Sequence, residues 1–196
     1  MLLAVTTSAT TTADRRAPGD LREALLDAAR AELTENGRSA VSLRAVARRA
    51  GVSHAAPAYA FGDRAGLLAA VAAQGFRELA AVMDSPPAAP GPDGLADLGR
   101  RYVRFAGEHP ALYELMFRPA ELAVDDPELE DARAASLRAL TRLTREDGAD
   151  APPGPVTLVS WAFAHGTASL VAQGALPAEA VAPLVTTFAA STLGDA

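Results

Sequence analysis

The chain of 196 residues contains neither cysteine nor lysine. Without cysteine it can form neither a disulfide framework nor a thiolate metal site, which is compatible with a reducing cytoplasm. All 18 basic residues are therefore arginine, as a GC-rich genome would produce. The first charged residue is Asp14, so the start lacks the basic segment and apolar run of a signal peptide. We expect a cytoplasmic protein.

Catalytic and metal-binding patterns are also missing. The three histidines, His54, His109 and His165, are far apart, and none has an acidic residue or a histidine three or four positions later. The sequence has no HExxH, no glycine-rich phosphate loop and no GxSxG. We therefore expect no catalytic site, no metal site and no cofactor.

Charge is scarce in the last part of the chain, where Glu179 is the only charged residue between Ala151 and Gly194. Two helices fit there, at about 156–173 and 178–193. A helix without a polar side must be covered on most sides. A second copy of the chain can supply that cover, so the pattern predicts a homodimer through these two helices. Membrane insertion is the alternative, and the polar residues of the first helix disfavour it.

Residues 42–64 fit a helix, a tight turn and a second short helix. Ser42 is a suitable N-cap, and Gly51 suits the left-handed end of the first helix. Ser53 can cap the next helix. Two helices joined by a short glycine-containing turn are typical of a helix-turn-helix. The apolar face of the first helix comprises Leu43, Val46, Ala47 and Ala50.

The same region is a basic island on an acidic chain. Residues 38–64 contain five arginines and one aspartate, a formal charge of +4, whereas the whole chain has −6. Such an island is typical of a local DNA contact. A solvated helix face is the alternative. The arginines are Arg38, Arg44, Arg48, Arg49 and Arg64.

Apolar spacing and breaker residues predict an all-α protein of nine helices, with no strand pattern. Residues 1–19 are expected to be a disordered tail, and 84–94 and 147–155 are expected to be loops. We expect a three-helix helix-turn-helix domain at 20–66, with helices at about 21–35, 43–50 and 54–60. Residues 67–196 should form a helical bundle for ligand binding and dimerisation.

These features together resemble the TetR family of transcriptional regulators. The resemblance rests on a first helix ending in Asn36-Gly37, on SLRAVARRAGVS at 42–53 and on FGDRAGLL at 61–68. WAFAHG at 161–166 and GEHPALYELMFRP at 107–119 are similar to a ligand-domain subfamily marked by a Trp…His-Gly pattern. The resemblance implies a homodimeric repressor that a small hydrophobic or aromatic effector releases from a palindromic operator of double-stranded DNA.

The resemblance also implies a DNA-binding surface. His54 would reach base edges, and Ser42, Arg44 and Arg64 would contact phosphates. Family members usually have tyrosine seven positions after the turn glycine, whereas here Tyr59 comes at eight. Packing of Tyr59 in the core is therefore an alternative to a phosphate contact. The residues placed nearest DNA on the third helix are Ser53, His54, Ala55, Ala56 and Tyr59.

Aromatic and sulfur-containing residues of the second domain are candidates for an effector cavity, and plain core packing is the alternative for each. Trp161 and His165 are four residues apart on one helix, so both can face one place. His165 is either a polar anchor for the ligand or a structural histidine. The candidates are Tyr102, Phe105, Tyr113, Met116, Phe117, Trp161 and His165.

Two other functions are compatible with the same sequence. An activator would use the same DNA-binding head, and only the operator position would distinguish it from a repressor. The other is a small-molecule-binding α-bundle without DNA function. In that case, replacing Arg44 and His54 with alanine would cause no loss of DNA affinity.

Overall fold

The computed structural model describes residues 18–86, 88–123, 125–144 and 153–194. Within these ranges the chain forms nine α-helices, three short 3-10 helices and no strand, which confirms the predicted all-α class. The predicted tail, apart from its last two residues, and most of the predicted loop at 147–155 lie outside the described residues. The α-helices are α1 (Pro18–Asn36), α2 (Leu43–Ala50), α3 (Ala56–Phe61), α4 (Arg64–Asp84), α5 (Pro92–Glu108), α6 (Pro110–Met116), α7 (Pro127–Thr144), α8 (Pro155–Ala172) and α9 (Val181–Leu193).

Four helix starts differ from the predicted ones. α9 begins at Val181, three residues later than predicted, because residues Ala178–Ala180 form a 3-10 helix. α1 and α5 begin earlier, at Pro18 and Pro92, because proline is well tolerated in a first helical turn. α3 begins at Ala56, two residues later than predicted. The predicted cap by Ser53 is wrong, since the N-cap position is Ala55 and no side chain caps the helix. The chain turns there through a backbone bond from the Ala56 N–H to the Ser53 carbonyl, 3.1 Å long.

α4 is the central element of the fold. It contacts α1, α3, α5, α6 and α7. Its side chains from Leu67 to Ala73 are all buried. Of the described helices, α4 alone is long and apolar enough to cross a membrane by length and composition. The buried core helix of a globular protein has the same length and composition, and the packing of α4 accounts for its apolar character.

α8 and α9 cover α5 and leave an apolar surface uncovered. Both helices contact α5, and α8 also contacts α7. Four large apolar side chains of this pair are exposed in the single chain: Leu158, Val159, Leu170 and Leu184.

Candidate functional site

α2 and the turn after it have the predicted local geometry. The Ser42 hydroxyl accepts a hydrogen bond from the Ala45 N–H at 3.2 Å, which caps α2. Gly51 has φ 67° and ψ 31°, the left-handed conformation that favours glycine. Val46 is fully buried, whereas Arg44 and Arg48 are exposed. α2 therefore presents two arginines to solvent while its apolar face fixes it to the core.

α3 and the turn before it expose most of the side chains that the sequence placed nearest DNA. Ser53, His54 and Ala55 are exposed, and Ala56 is half-buried. Tyr59 is 96% exposed, so the alternative that it packs in the core is wrong. Pro57 is buried instead and anchors this six-residue helix.

Carboxylates from outside the basic island reduce its positive charge. Arg49 donates from Nε to Glu32 at 2.8 Å and from Nη1 to Glu35 at 2.9 Å, and these hydrogen bonds lower the pKa of both carboxyls. Arg38 forms an ion pair with Glu121, which comes from a distant part of the chain.

Arg44 and Arg48 differ from the other arginines of the island. Within the described residues, neither has an acidic partner within 4 Å. Because both are exposed on the outer side of α2, their charges are available to a negatively charged ligand such as a phosphate backbone.

Arg64, predicted as a phosphate contact, joins three parts of the structure. Its Nε donates to the Val41 carbonyl at 2.8 Å, and its Nη2 donates to the Arg38 carbonyl at 3.0 Å. Its Nη1 lies 3.7 Å from Glu121. The side chain thus ties the start of α4 to the segment between α1 and α2.

The turn between α3 and α4 depends on a residue that the sequence reasoning missed. Asp63 caps α4, accepting from the Gly66 N–H at 2.9 Å. A β-carbon on Gly66 would overlap the carbonyl oxygen of Phe61. Glycine is therefore required at this position of the FGDRAG segment.

A cavity of about 30 Å³ lies between α4, α5, α7, α8 and α9. Three of the seven predicted ligand residues line it, namely Tyr102, Phe117 and Trp161. The described residues of its wall include no charged side chain. Lining residues that the prediction did not include are Ser136, Ser160, Phe163 and Phe188, together with several aliphatic side chains. Sequence offered only weak signals for them, because each is a single apolar or small residue on an apolar helix face.

Tyr102, Tyr113 and His165 form a hydrogen-bonded cluster beside the cavity. His165 Nδ1 lies 2.7 Å from the Tyr113 hydroxyl and 3.1 Å from the Tyr102 hydroxyl. Burial lowers the pKa of His165, so its Nδ1 is available as an acceptor for these hydroxyls. Burial also raises the pKa of Tyr113 to about 12, and it raises that of Tyr102. All three groups are therefore uncharged near neutral pH.

Phe117 joins this cluster to the cavity. Its ring centroid lies 4.5 Å from His165, 5.0 Å from Tyr113 and 6.3 Å from Trp161.

The structure places the two remaining predicted ligand residues in the core, away from the cavity wall. Phe105 is 2% exposed and packs edge-on against His109, with centroids 5.0 Å apart. Met116 is fully buried on Gly75, where an added β-carbon would lie 2.7 Å from its sulfur.

Acidification should destabilise the chain through His165. Unfolded His165 titrates near its ordinary pKa of 6.5, whereas the folded group has a lower pKa. The unfolded state therefore binds more protons below that value, and the free energy of unfolding falls as the pH falls. We expect His165→Gln to reduce the fall in melting temperature between about pH 7.5 and about pH 5.5. The matched variant His54→Gln, at an exposed histidine, should leave that fall unchanged, and an equal effect of both would contradict the assignment.

Comparison with known proteins identifies two matching family models. Residues 25–71 match the model of bacterial regulatory proteins of the tetR family. Residues 95–191 match the tetracyclin repressor-like C-terminal domain. A search of curated proteins finds no match.

Solved structures resemble the chain over most of its length. A protein of unknown function from Rhodococcus sp. RHA1 is 34% identical, with a TM-score of 0.74, and the alignment covers 93% of this chain and 97% of that one. The multidrug binding protein EbrR, solved with imidazole, is 20% identical, with a TM-score of 0.68 and coverages of 96% and 97%. LfrR from Mycobacterium smegmatis, solved with proflavine, is 24% identical, with a TM-score of 0.56 and coverages of 89% and 97%. The latter two likenesses concern the fold alone.

Proposed function

The chain belongs to the TetR family of DNA-binding transcriptional regulators, and from this premise we propose that it is a cytoplasmic repressor that an uncharged small molecule releases from a palindromic operator. The observation that carries the proposal is a physical connection between the cavity and the DNA-binding head. Phe117 lines the cavity at the end of α6. Four residues later, Glu121 pairs with Arg38 and Arg64 of the head.

In this proposal α3 lies in the major groove of the operator. His54 comes just before α3, where side chains of a recognition helix reach base edges, and Ala55 and Ala56 offer methyl contacts to thymine. Arg44 and Arg48 neutralise phosphates, since both are exposed and unpaired within the described chain. The exposed hydroxyl of Tyr59 is a further phosphate donor.

Ser42 and Arg64 have smaller roles at the DNA surface. The Ser42 hydroxyl is engaged in capping α2, so the free N–H groups at the start of that helix are the phosphate donors there. Arg64 supports the head through two backbone carbonyls, and its phosphate contact is secondary to that role.

The effector site is the cavity lined by Tyr102, Phe117 and Trp161. Its present volume of about 30 Å³ holds about one water molecule, so a larger ligand must move the wall outward. We assign the closed cavity to the DNA-binding state. An effector releases the operator only if it binds the opened state more tightly than the closed one.

The segment after α6 transmits the opening to the head. Besides the Glu121 ion pairs, the Ala123 N–H donates to the Ala65 carbonyl at 3.3 Å, next to Arg64 in the first turn of α4. A displacement of Phe117 by a ligand therefore pulls on the start of α4 and on the segment between α1 and α2.

A homodimer through α8 and α9 completes the proposal. The exposed side chains of Leu158, Val159, Leu170 and Leu184 need cover, and a second copy of the same surface supplies it in an isologous interface. Two heads then occupy successive major-groove faces of a palindrome.

Replacing Glu121 with glutamine should uncouple the cavity from the head. The variant keeps the size of the side chain but loses both ion pairs, so we expect near-normal operator affinity and an effector-induced loss of affinity reduced about fivefold or more. The measurement is fluorescence anisotropy of a labelled operator with and without a saturating cavity ligand.

Glu114→Gln provides the matched control for that variant. Glu114 of α6 pairs at 2.5 Å with Arg118, just beyond that helix, and not with an arginine of the head. If Glu114→Gln reduces the effector response as much as Glu121→Gln does, the proposed transmission is wrong.

A gel shift tests the proposed function itself. We expect the purified chain to retard the DNA upstream of its own gene at low salt, and an aromatic ligand of the cavity to abolish the shift. If the chain does not bind that DNA, and a search of palindromic duplexes also fails, the repressor proposal is overturned.

A further inference from the structure

Ser160 is a buried hydroxyl in the wall of the cavity. It lies on α8, is 3% exposed and lines the cavity directly. Its Oγ has no hydrogen-bond partner among the described residues. A buried polar group without a partner is costly, so it is rarely retained unless something satisfies it.

The other hydroxyls in the described wall of the cavity already have partners. The Ser136 Oγ donates to the Arg133 carbonyl at 2.8 Å. The Tyr102 hydroxyl lies 3.1 Å from His165 Nδ1. Ser160 is therefore the hydroxyl of the described wall whose proton remains available to a ligand.

The rest of the wall determines which ligands suit this hydroxyl. No charged side chain is present in the described wall, so an ion would be buried there without a partner, which is strongly unfavourable. Flat aromatic faces are present instead: Phe163 and Phe188 stack at 4.1 Å, and Phe117 lies 6.3 Å from Trp161. Such rings pack well against a planar ligand.

We propose that Ser160 is the hydrogen-bonding anchor of the cavity and that the ligand is an uncharged aromatic molecule carrying one hydrogen-bond acceptor. The inference deepens the proposed function, because it rests on the cavity being the effector site. Aromatic faces also attract cations, so a cationic ligand is the most demanding comparison.

Four two-ring probes of nearly equal size test the anchor by isothermal titration calorimetry on the full chain. Naphthalene has no acceptor, quinoline has one, N-methylquinolinium is a cation and 2-naphthoate is an anion. We expect quinoline to bind about fivefold tighter than naphthalene, as one additional hydrogen bond provides. Both ions should bind at least about tenfold more weakly than quinoline, because the wall offers them no opposite charge.

Two serine variants separate the anchor from general effects on the cavity. Ser160→Ala should abolish the preference for quinoline while keeping the naphthalene affinity, and it should fold because alanine favours helices more than serine does. Ser136→Ala should keep the preference, since the Ser136 proton is already donated to a carbonyl. A quinoline preference that persists in Ser160→Ala overturns the inference.

The remaining outcomes are equally decisive. A cation that binds as tightly as quinoline, or a chain that binds none of the four probes, also contradicts the anchor. Operator binding measured on the same preparation distinguishes the two claims: if the probes follow the expected order but no DNA is bound, the repressor proposal fails and the anchor stands.

Discussion

Replacing Arg44 and Arg48 together with alanine should lower the affinity for operator DNA by roughly a hundredfold or more at moderate salt. Both side chains are exposed on the outer side of α2 and lack an acidic partner within the described residues. In a dimer the double variant removes four phosphate contacts, so the slope of log affinity against log salt should fall by about 3 to 4. Anisotropy titrations at several salt concentrations provide both quantities.

Arg104 on α5 and Arg138 on α7 provide the matched control, since both are exposed. Replacing both with alanine removes two positive charges, as the first double variant does, but at positions far along the chain from α2. We expect the control to retain operator affinity to within about threefold, because distant exposed charges are screened by salt. If the two double variants weaken binding equally, the loss reflects total charge and the assigned DNA surface is wrong.

Replacing Phe105 with alanine should lower the free energy of unfolding by about 3 to 5 kcal/mol. Phe105 is among the most buried large side chains, so its removal leaves a cavity that neighbours refill only in part. Because it does not line the ligand cavity, the affinity of the folded variant for a cavity ligand should be unchanged. Urea unfolding measures the first effect, and calorimetry below the transition measures the second.

Phe188→Ala should instead affect ligand affinity more than stability. Phe188 is half-buried and lines the cavity, where it stacks on Phe163. We expect a smaller loss of stability and a clear change in ligand affinity. If Phe105→Ala instead abolishes ligand binding in a folded protein, Phe105 belongs to the effector site as the sequence suggested.

Local signals were sufficient to predict the helix-turn-helix. The roles of Ser42 and Gly51 depend on neighbours within four residues, and the structure has each where the pattern placed it. Helix starts were less predictable, because Pro18 and Pro92 are compatible both with a loop and with a first helical turn.

The free charges of the head could not be predicted from the sequence alone. Five arginines look alike along the chain, but only the tertiary structure brings Glu32 to Arg49 and Glu121 to Arg38. The distinction between exposed, unpaired arginines and structural ones therefore arises from contacts that are distant in sequence.

The residues that line the cavity could likewise not be predicted from the sequence alone. Phe105 and Phe117 are both aromatic residues of apolar helical segments, yet one is plain core and the other lines the cavity. A single serine in an apolar helix gives no sequence signal, and only the burial of Ser160 without a partner among the described residues marks it.

The most direct test of the central claim is equilibrium binding of the full chain to a labelled duplex from upstream of its gene, in competition with a scrambled duplex. The account predicts a saturable complex of two chains per palindromic site, at least about a thousandfold tighter than binding to the scrambled duplex. It also predicts dissociation of that complex when quinoline occupies the cavity. Equal affinity for the two duplexes would contradict the account.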